Sequence, residues 1–269
     1  MSLTIDGKSL NQLGLALLPG FQHPAAPPIR DYTVSIPGRP GAYYFGSDID
    51  PLEFNLPLII KPREDRYELA AAIRKMVAAF IDPYGKPKEI KLIYDYEPDK
   101  YYLARYSGSM SIDRYFRMGK FELPLIAYNP HAYSIVESTD DILWGDDIPW
   151  LSDFPLGMGD SQYNVTTPQI IDIDNFGSLV VRPVIEIKGS ATNLTFTIKG
   201  ESFSFGTFTN STLLIDAERY AAIKNGQNFL FQMTGNMERL EFMPGTNAVN
   251  INGSNLNINV SFKYRAKYM

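Results

Sequence analysis

Cysteine is missing from all 269 residues, which excludes disulfides, thiolate zinc sites and cysteine nucleophiles. Redox compartment therefore leaves no trace in the composition. Histidine is nearly as scarce. His23, before Pro24, and His131, after Pro130, are the only two, and no other catalytic signal converges on either. A Gly-x-Ser-x-Gly nucleophile turn is also lacking. No run reaches the roughly 18 apolar residues of a membrane span. The opening MSLTIDGKSL has no basic stretch followed by an apolar one, so it does not read as a secretory signal. These absences lead us to expect a soluble chain made in the cytoplasm, with no membrane partner.

Basic residues vanish locally. Residues 137–174 hold Glu137, Asp140, Asp141, Asp146, Asp147, Asp153, Asp160, Asp172 and Asp174 but no Lys or Arg. The net charge of −5 thus divides into −9 here and +4 elsewhere. Neither flank is basic enough for a nucleic-acid footprint. The acidic stretch marks a boundary, giving domains at 1–136 and 175–269 joined by an arm over 137–174. Both tryptophans, Trp144 and Trp150, lie in that arm beside Phe154, which a flexible tether would rarely contain. The arm reads as docking either between its own domains or onto a neighbouring subunit.

Enough apolar residues are present, 45%, for a real core. Leu69, Ile73, Met76, Val77 and Phe80 recur at helical spacing and predict one helix over 63–80, stopped by Asp82-Pro83. Elsewhere the period is two. Ile90, Leu92, Tyr94 and Tyr96 share a face, and 52–60 and 120–128 read as strands in which Pro57 and Pro124 demand an edge or a bulge. The first half is therefore β-rich with one helix on a sheet.

In the second half only strands are read. Lys199-Gly200-Glu201 is a tight turn between 193–200 and 201–208. Lys224-Asn225-Gly226 is a type I′ signal ahead of a strand over 228–233. The alternation of Leu256, Ile258, Val260, Phe262 and Tyr264 with polar residues marks a final strand. Pro244-Gly245-Thr246-Asn247 reads as a hairpin tip without chemistry. Frequent short strands and turns argue a β-sandwich, so the fold class is mainly β, all-β or α+β.

Other motifs fail on their own terms. Gly7-Lys8-Ser9 has Ser2 where a phosphate-binding loop needs glycine. Asp172–Gly177 opens like a calcium loop, but Phe176 and Pro183 occupy ligand positions, so a strand end and an Asn-Phe-Gly turn fit better. The acidic arm offers carboxylate pairs, yet none lies in a context that would bury one and raise its pKa. Sugar stacking on Trp144 or Trp150 stays open. No catalytic residue, metal or cofactor is expected.

An ordered set of segments resembles the distal tail protein family of phages with long, non-contractile tails. They are IPGRPGAYYFG (36–46), EIKLIYDYEPDKYYLARYSG (89–108), LPLIAYNPHAY (123–133), NFGSLVVRPVIEIKG (175–189), TLLIDAERYAAIKNGQN (212–228) and LEFMPGTNAVNI (240–251), then a closing strand with Arg265. The resemblance implies a virion structural protein of a phage or prophage, not an enzyme. Its N-terminal domain would form the belt of a hexameric ring at the distal end of the tail tube. A galectin-like sandwich would follow. Implied partners are further copies of itself, the major tail tube protein, the tail-tip protein and receptor-binding proteins. The site is the virion tail tip. Arg39, Trp144 and Trp150 are the candidate subunit or domain contacts. The alternative is a carbohydrate-binding β-sandwich protein or another baseplate component of related fold.

Overall fold

A computed structural model describes residues 2–140, 142, 148, 152 and 161–269. The chain divides into two compact units, Met1–Ala132 with Met269, and Tyr133–Tyr268.

The first unit contains β1 (Leu3–Ile5), β2 (Lys8–Ser9), β3 (Leu15–Leu17), β4 (Ile29–Val34), β5 (Tyr43–Ile49), β6 (Leu52–Ile60), α1 (Arg66–Phe80), β7 (Glu89–Tyr94), β8 (Glu97–Tyr106), β9 (Ile112–Arg114) and β10 (Gly119–Ala127). The main sheet runs β2-β1-β7-β8-β10-β6-β3, and β9 pairs with β10. Along β6 every even residue from Leu52 to Ile60 is buried, which is the period-two pattern read from the sequence. The helix begins later than its spacing alone predicts. Asp65 caps it, its carboxylate accepting from the amides of Tyr67 at 2.7 Å and Glu68 at 2.8 Å. Leu69, Ile73, Met76 and Phe80 form its buried stripe.

Pro57 and Pro124 explain themselves through their neighbours. Each lies opposite its partner in the long β6–β10 pairing, at Pro57↔Glu122 and Pro124↔Asn55, with no bulge. Their carbonyls face the other way. Pro57 accepts from Leu18 N–H at 2.8 Å and Pro124 from Ser107 N–H at 3.2 Å. Leu18 follows the end of β3 and Ser107 the end of β8. A missing amide is tolerated there because the neighbouring strand has just run out.

The second unit contains β11 (Ala132–Ser134), β12 (Gln162–Val165), β13 (Gln169–Asn175), β14 (Val184–Ile198), β15 (Glu201–Asp216), β16 (Ala221–Lys224), β17 (Gln227–Asn228), β18 (Gly245–Lys263) and β19 (Lys267–Tyr268). The sheet order is β12-β18-β14-β15-β16-β17, with β13 also on β18. Three very long strands bend partway. Pairing shifts between Gly189 and Leu194 on β14, where β18 carries Gly253 at φ +157° and Asn255 at φ +50°. Beyond the bend the two halves face one another. Phe196, paired with Ile251, and Phe262, paired with Ile185, meet across the core with ring centres 6.3 Å apart. The result is one antiparallel sheet folded into a sandwich.

Both tight turns appear where the sequence placed them. Lys199-Gly200 and Asn225-Gly226 each have two consecutive positive φ angles, the type I′ geometry. Two expectations need correction. The strand foreseen over 228–233 stops at Asn228, whose side chain accepts from Leu230 N–H at 3.0 Å and starts a turn. Nor is Pro244–Asn247 a hairpin tip. Phe242 bridges Val181, whereas β18 pairs with β13 and β14, so this segment crosses between strands that do not pair with each other. Asn247, 3% exposed, holds the crossing. It accepts from Met243 N–H and donates to the carbonyls of Met243 and Gly245, each at 2.8 Å.

Candidate assembly interface

Strands β4 and β5 form a two-stranded sheet of their own. Every residue of β4 is exposed, and all but one of β5. The side chains are not those of a solvated ribbon. Ile29 is 66% exposed, Tyr44 61% and Phe45 71%, with Tyr32, Val34, Ile36, Tyr43 and Ile49 beside them. A lone hairpin is marginal in water, and this one has an apolar surface on a protein with ample core elsewhere. Such a surface marks a contact with something else.

Its own charges fix its shape. Arg30 and Asp50 form an ion pair at the base, and Tyr32 donates to Asp48 at 2.8 Å. The pairing holds the guanidinium of Arg30 above its usual pKa, and the Asp48 hydrogen bond does the same for the Tyr32 phenol. Tyr44 donates to Ser47 at 2.9 Å. The tip is a proline- and glycine-bounded loop in which Gly38 and Gly41 take positive φ, and Arg39 N–H donates to Ile36 O at 3.1 Å. Arg39 then lies over the ring of Tyr43, 4.4 Å from its centre.

The base is anchored from both sides. Asp50 N–H donates to Pro28 O at 2.9 Å, and the chain passes directly into β6. On the entering side, His23 is held in an aromatic socket. Its ring centre lies 4.5 Å from Tyr94, 5.7 Å from both Tyr96 and Tyr102, and 6.0 Å from Phe54. Its Nδ1 meets the Tyr96 hydroxyl. Burial pushes the imidazole below its ordinary pKa, against the opposing pull of Glu97. Burial, then Glu97, pushes Tyr96 up to about 12.

Of the contact residues named from sequence, Arg39 is at this tip. Trp144 and Trp150 lie outside the described residues. The arm's first residues bind the last strands of their own unit. Ser138 donates to Phe262 O at 2.7 Å and accepts from Tyr264 N–H at 2.9 Å. Glu137 meets Lys263 at 2.9 Å and Arg265 at 3.7 Å. Ile142 and Ile148 pack around Val136 with Phe176. Sequence reasoning missed the apolar strands flanking Arg39. Their signal was the Tyr43-Tyr44-Phe45 run beside a Pro-Gly loop, which has no single buried face to give a period. Among the described residues no group of three or more His, Asp or Glu could hold a metal ion.

Residues 8–127 match the family model of the phage tail protein RIFT-related domain. The chain shares its fold with the Dit protein of phage SPP1, which is described as a paradigm of the hub adsorption apparatus in phages infecting Gram-positive bacteria. That match has a TM-score of 0.70 and 16% identity, covering 100% of this chain and 99% of the other. The phage P2 baseplate, in its activated conformation with Ca and with Sr, matches at 10% identity and TM-scores of 0.40 and 0.44, again over 100% and 99%. No curated protein matches the sequence. Residues 8–127 thus carry a domain of the phage-tail RIFT-related type, and the whole chain shares the fold of the SPP1 Dit protein.

Proposed function

We propose that the chain builds a hexameric ring at the distal end of a phage or prophage tail tube, with the first unit as the ring's belt. The ring joins the tube to the tail-tip and receptor-binding proteins. The observation that carries this reading is the β4–β5 hairpin, an apolar ribbon exposed on both faces and anchored at its base. Burying one Ile, Phe or Tyr of this kind is worth about 1.5–3 kcal/mol, so a few of them supply a subunit contact. The fold of the SPP1 Dit protein supports the assignment. Synthesis in the host cytoplasm and residence at the virion tail tip follow from that role.

Light scattering across a concentration series tests it. One chain is 30.3 kDa, so six weigh about 182 kDa. A species of that mass, lost when 29–49 is replaced by a short Gly-Ser loop, is the expected result. A ring that survives the replacement would sink the role of the hairpin. A wild-type chain that stays monomeric both alone and with its tube protein would sink the ring.

A further inference from the structure

Resting on that ring-forming reading, we infer that the hairpin tip of one copy seats in a specific acidic groove on the next, on the outward face of β6 and β10. The groove is a cleft of about 600 Å³, lined by Pro19, Glu53, Asn55, Pro57, Lys120 and Glu122 among others. Its origin lies in the sheet. β3 covers β6 only from Leu58 to Ile60. After Leu18 bonds Pro57 O, the chain continues past Gly20 without strand pairing, and Gln22, His23 and Pro24 form the wall of the cleft. Residues 52–57 of β6 then have β10 on one side and no strand on the other. Alternation along β6 and β10 turns the side chains of Glu53, Asn55 and Pro57, and those of Lys120 and Glu122 on the paired strand, to the outward face of the sheet, where they line the cleft.

Charge identifies the occupant. Glu53 and Glu122 line the cleft against the single ammonium of Lys120. At the hairpin tip Arg39 touches Tyr43, and no ion pair with it is formed among the described residues. By contrast, Arg30 at the base is already matched to Asp50. The tip therefore brings a cation and several apolar side chains to a groove with an excess of carboxylate.

Reach shows that the two must come from different copies. The hairpin leaves the sheet at Asp50, three residues before Glu53. Its six- and seven-residue strands, at about 3.3 Å per residue, carry Arg39 about 20 Å from that base. Tip and groove on one chain thus lie apart, and the contact is head-to-tail. A head-to-tail contact between two distinct patches closes a ring when the rotation between copies is a whole fraction of a turn.

The cysteine-free chain makes the test clean. Pro40→Cys and Asn55→Cys, both at exposed positions, are made separately, mixed and oxidised. A disulfide-linked pair of chains is expected from the mixture, in excess of anything either variant gives alone. Arg39→Glu and Glu122→Lys should each weaken assembly on the order of tenfold or more, and the two together in one chain should restore it. Circular dichroism verifies that each variant folds. Rings of wild-type mass with neither cross-link nor charge rescue would overturn this seat while leaving the ring intact. A cross-link without a closed ring would uphold the seat and refute the ring. Absence of both would overturn both.

Discussion

The guanidinium of Arg39 rests on the ring of Tyr43, 4.4 Å from its centre, at the end of a hairpin whose strands pair only with each other. An exposed contact of this type contributes about 0.5–1 kcal/mol to folding. Arg39→Ala should therefore lower the melting temperature only slightly while clearly reducing the assembled fraction. Calorimetry and light scattering on the same sample separate the two. A large thermal loss with assembly unchanged would assign Arg39 a folding role instead.

Asn247 gives the opposite kind of prediction. Its amide saturates Met243 N–H and the carbonyls of Met243 and Gly245 inside the second unit. Asn247→Ala removes those three part-buried bonds, each worth about 0.5–1.5 kcal/mol net. Urea unfolding should show a loss of at least about 2 kcal/mol. A change below about 0.5 kcal/mol would mean that water replaces the amide.

Glycine substitutions should differ sharply by place. Gly189 has φ +131°, and an added Cβ would lie 2.1 Å from the carbonyl oxygen of Asn257 on the adjacent strand. Gly226 has φ +82°, with nothing within 4 Å. Gly226→Ala should cost about 1 kcal/mol, from the backbone alone. Gly189→Ala should cost more, because β14 and β18 must separate. Equal losses in denaturant titration would refute the close approach.

His23 sets a pH dependence whose sign follows from its socket. Its folded pKa lies below 6.5, so the unfolded chain binds the proton more readily. The stabilisation from His23 is complete above about 6.5 and is lost as pH falls from there through the lower folded value. The first unit should melt earlier as pH drops from 7 to 5, and His23→Gln should flatten that slope. An NMR titration placing the imidazole above 6.5 would reverse the expectation. Since His23 anchors the strand entering the hairpin, assembly should weaken over the same range.

The sequence was most legible where one local rule acted alone. Helix α1 carries an apolar stripe of its own, and Lys199-Gly200 and Asn225-Gly226 need no tertiary help to turn. Reading failed where a partner element decided the outcome. Pro57 and Pro124 do lie at locally bare edges, as their missing amides demanded, but that β3 and β8 end beside them is a fact stored in other segments. The β4–β5 hairpin was legible only as a Pro-Gly-Arg loop, since a ribbon with apolar residues on both faces shows no period against which to register it. Asn247 was read as part of a hairpin tip, and its amide does bond the turn's backbone, but the strands it joins are not each other's partners.

Strand β18 has a mechanical consequence. It is 19 residues long and bonds β14 along one edge and both β12 and β13 along the other. Tension applied along it has to shear these ladders together; they cannot unzip one rung at a time. A pull transmitted through β18 thus reaches both layers of the sandwich at once.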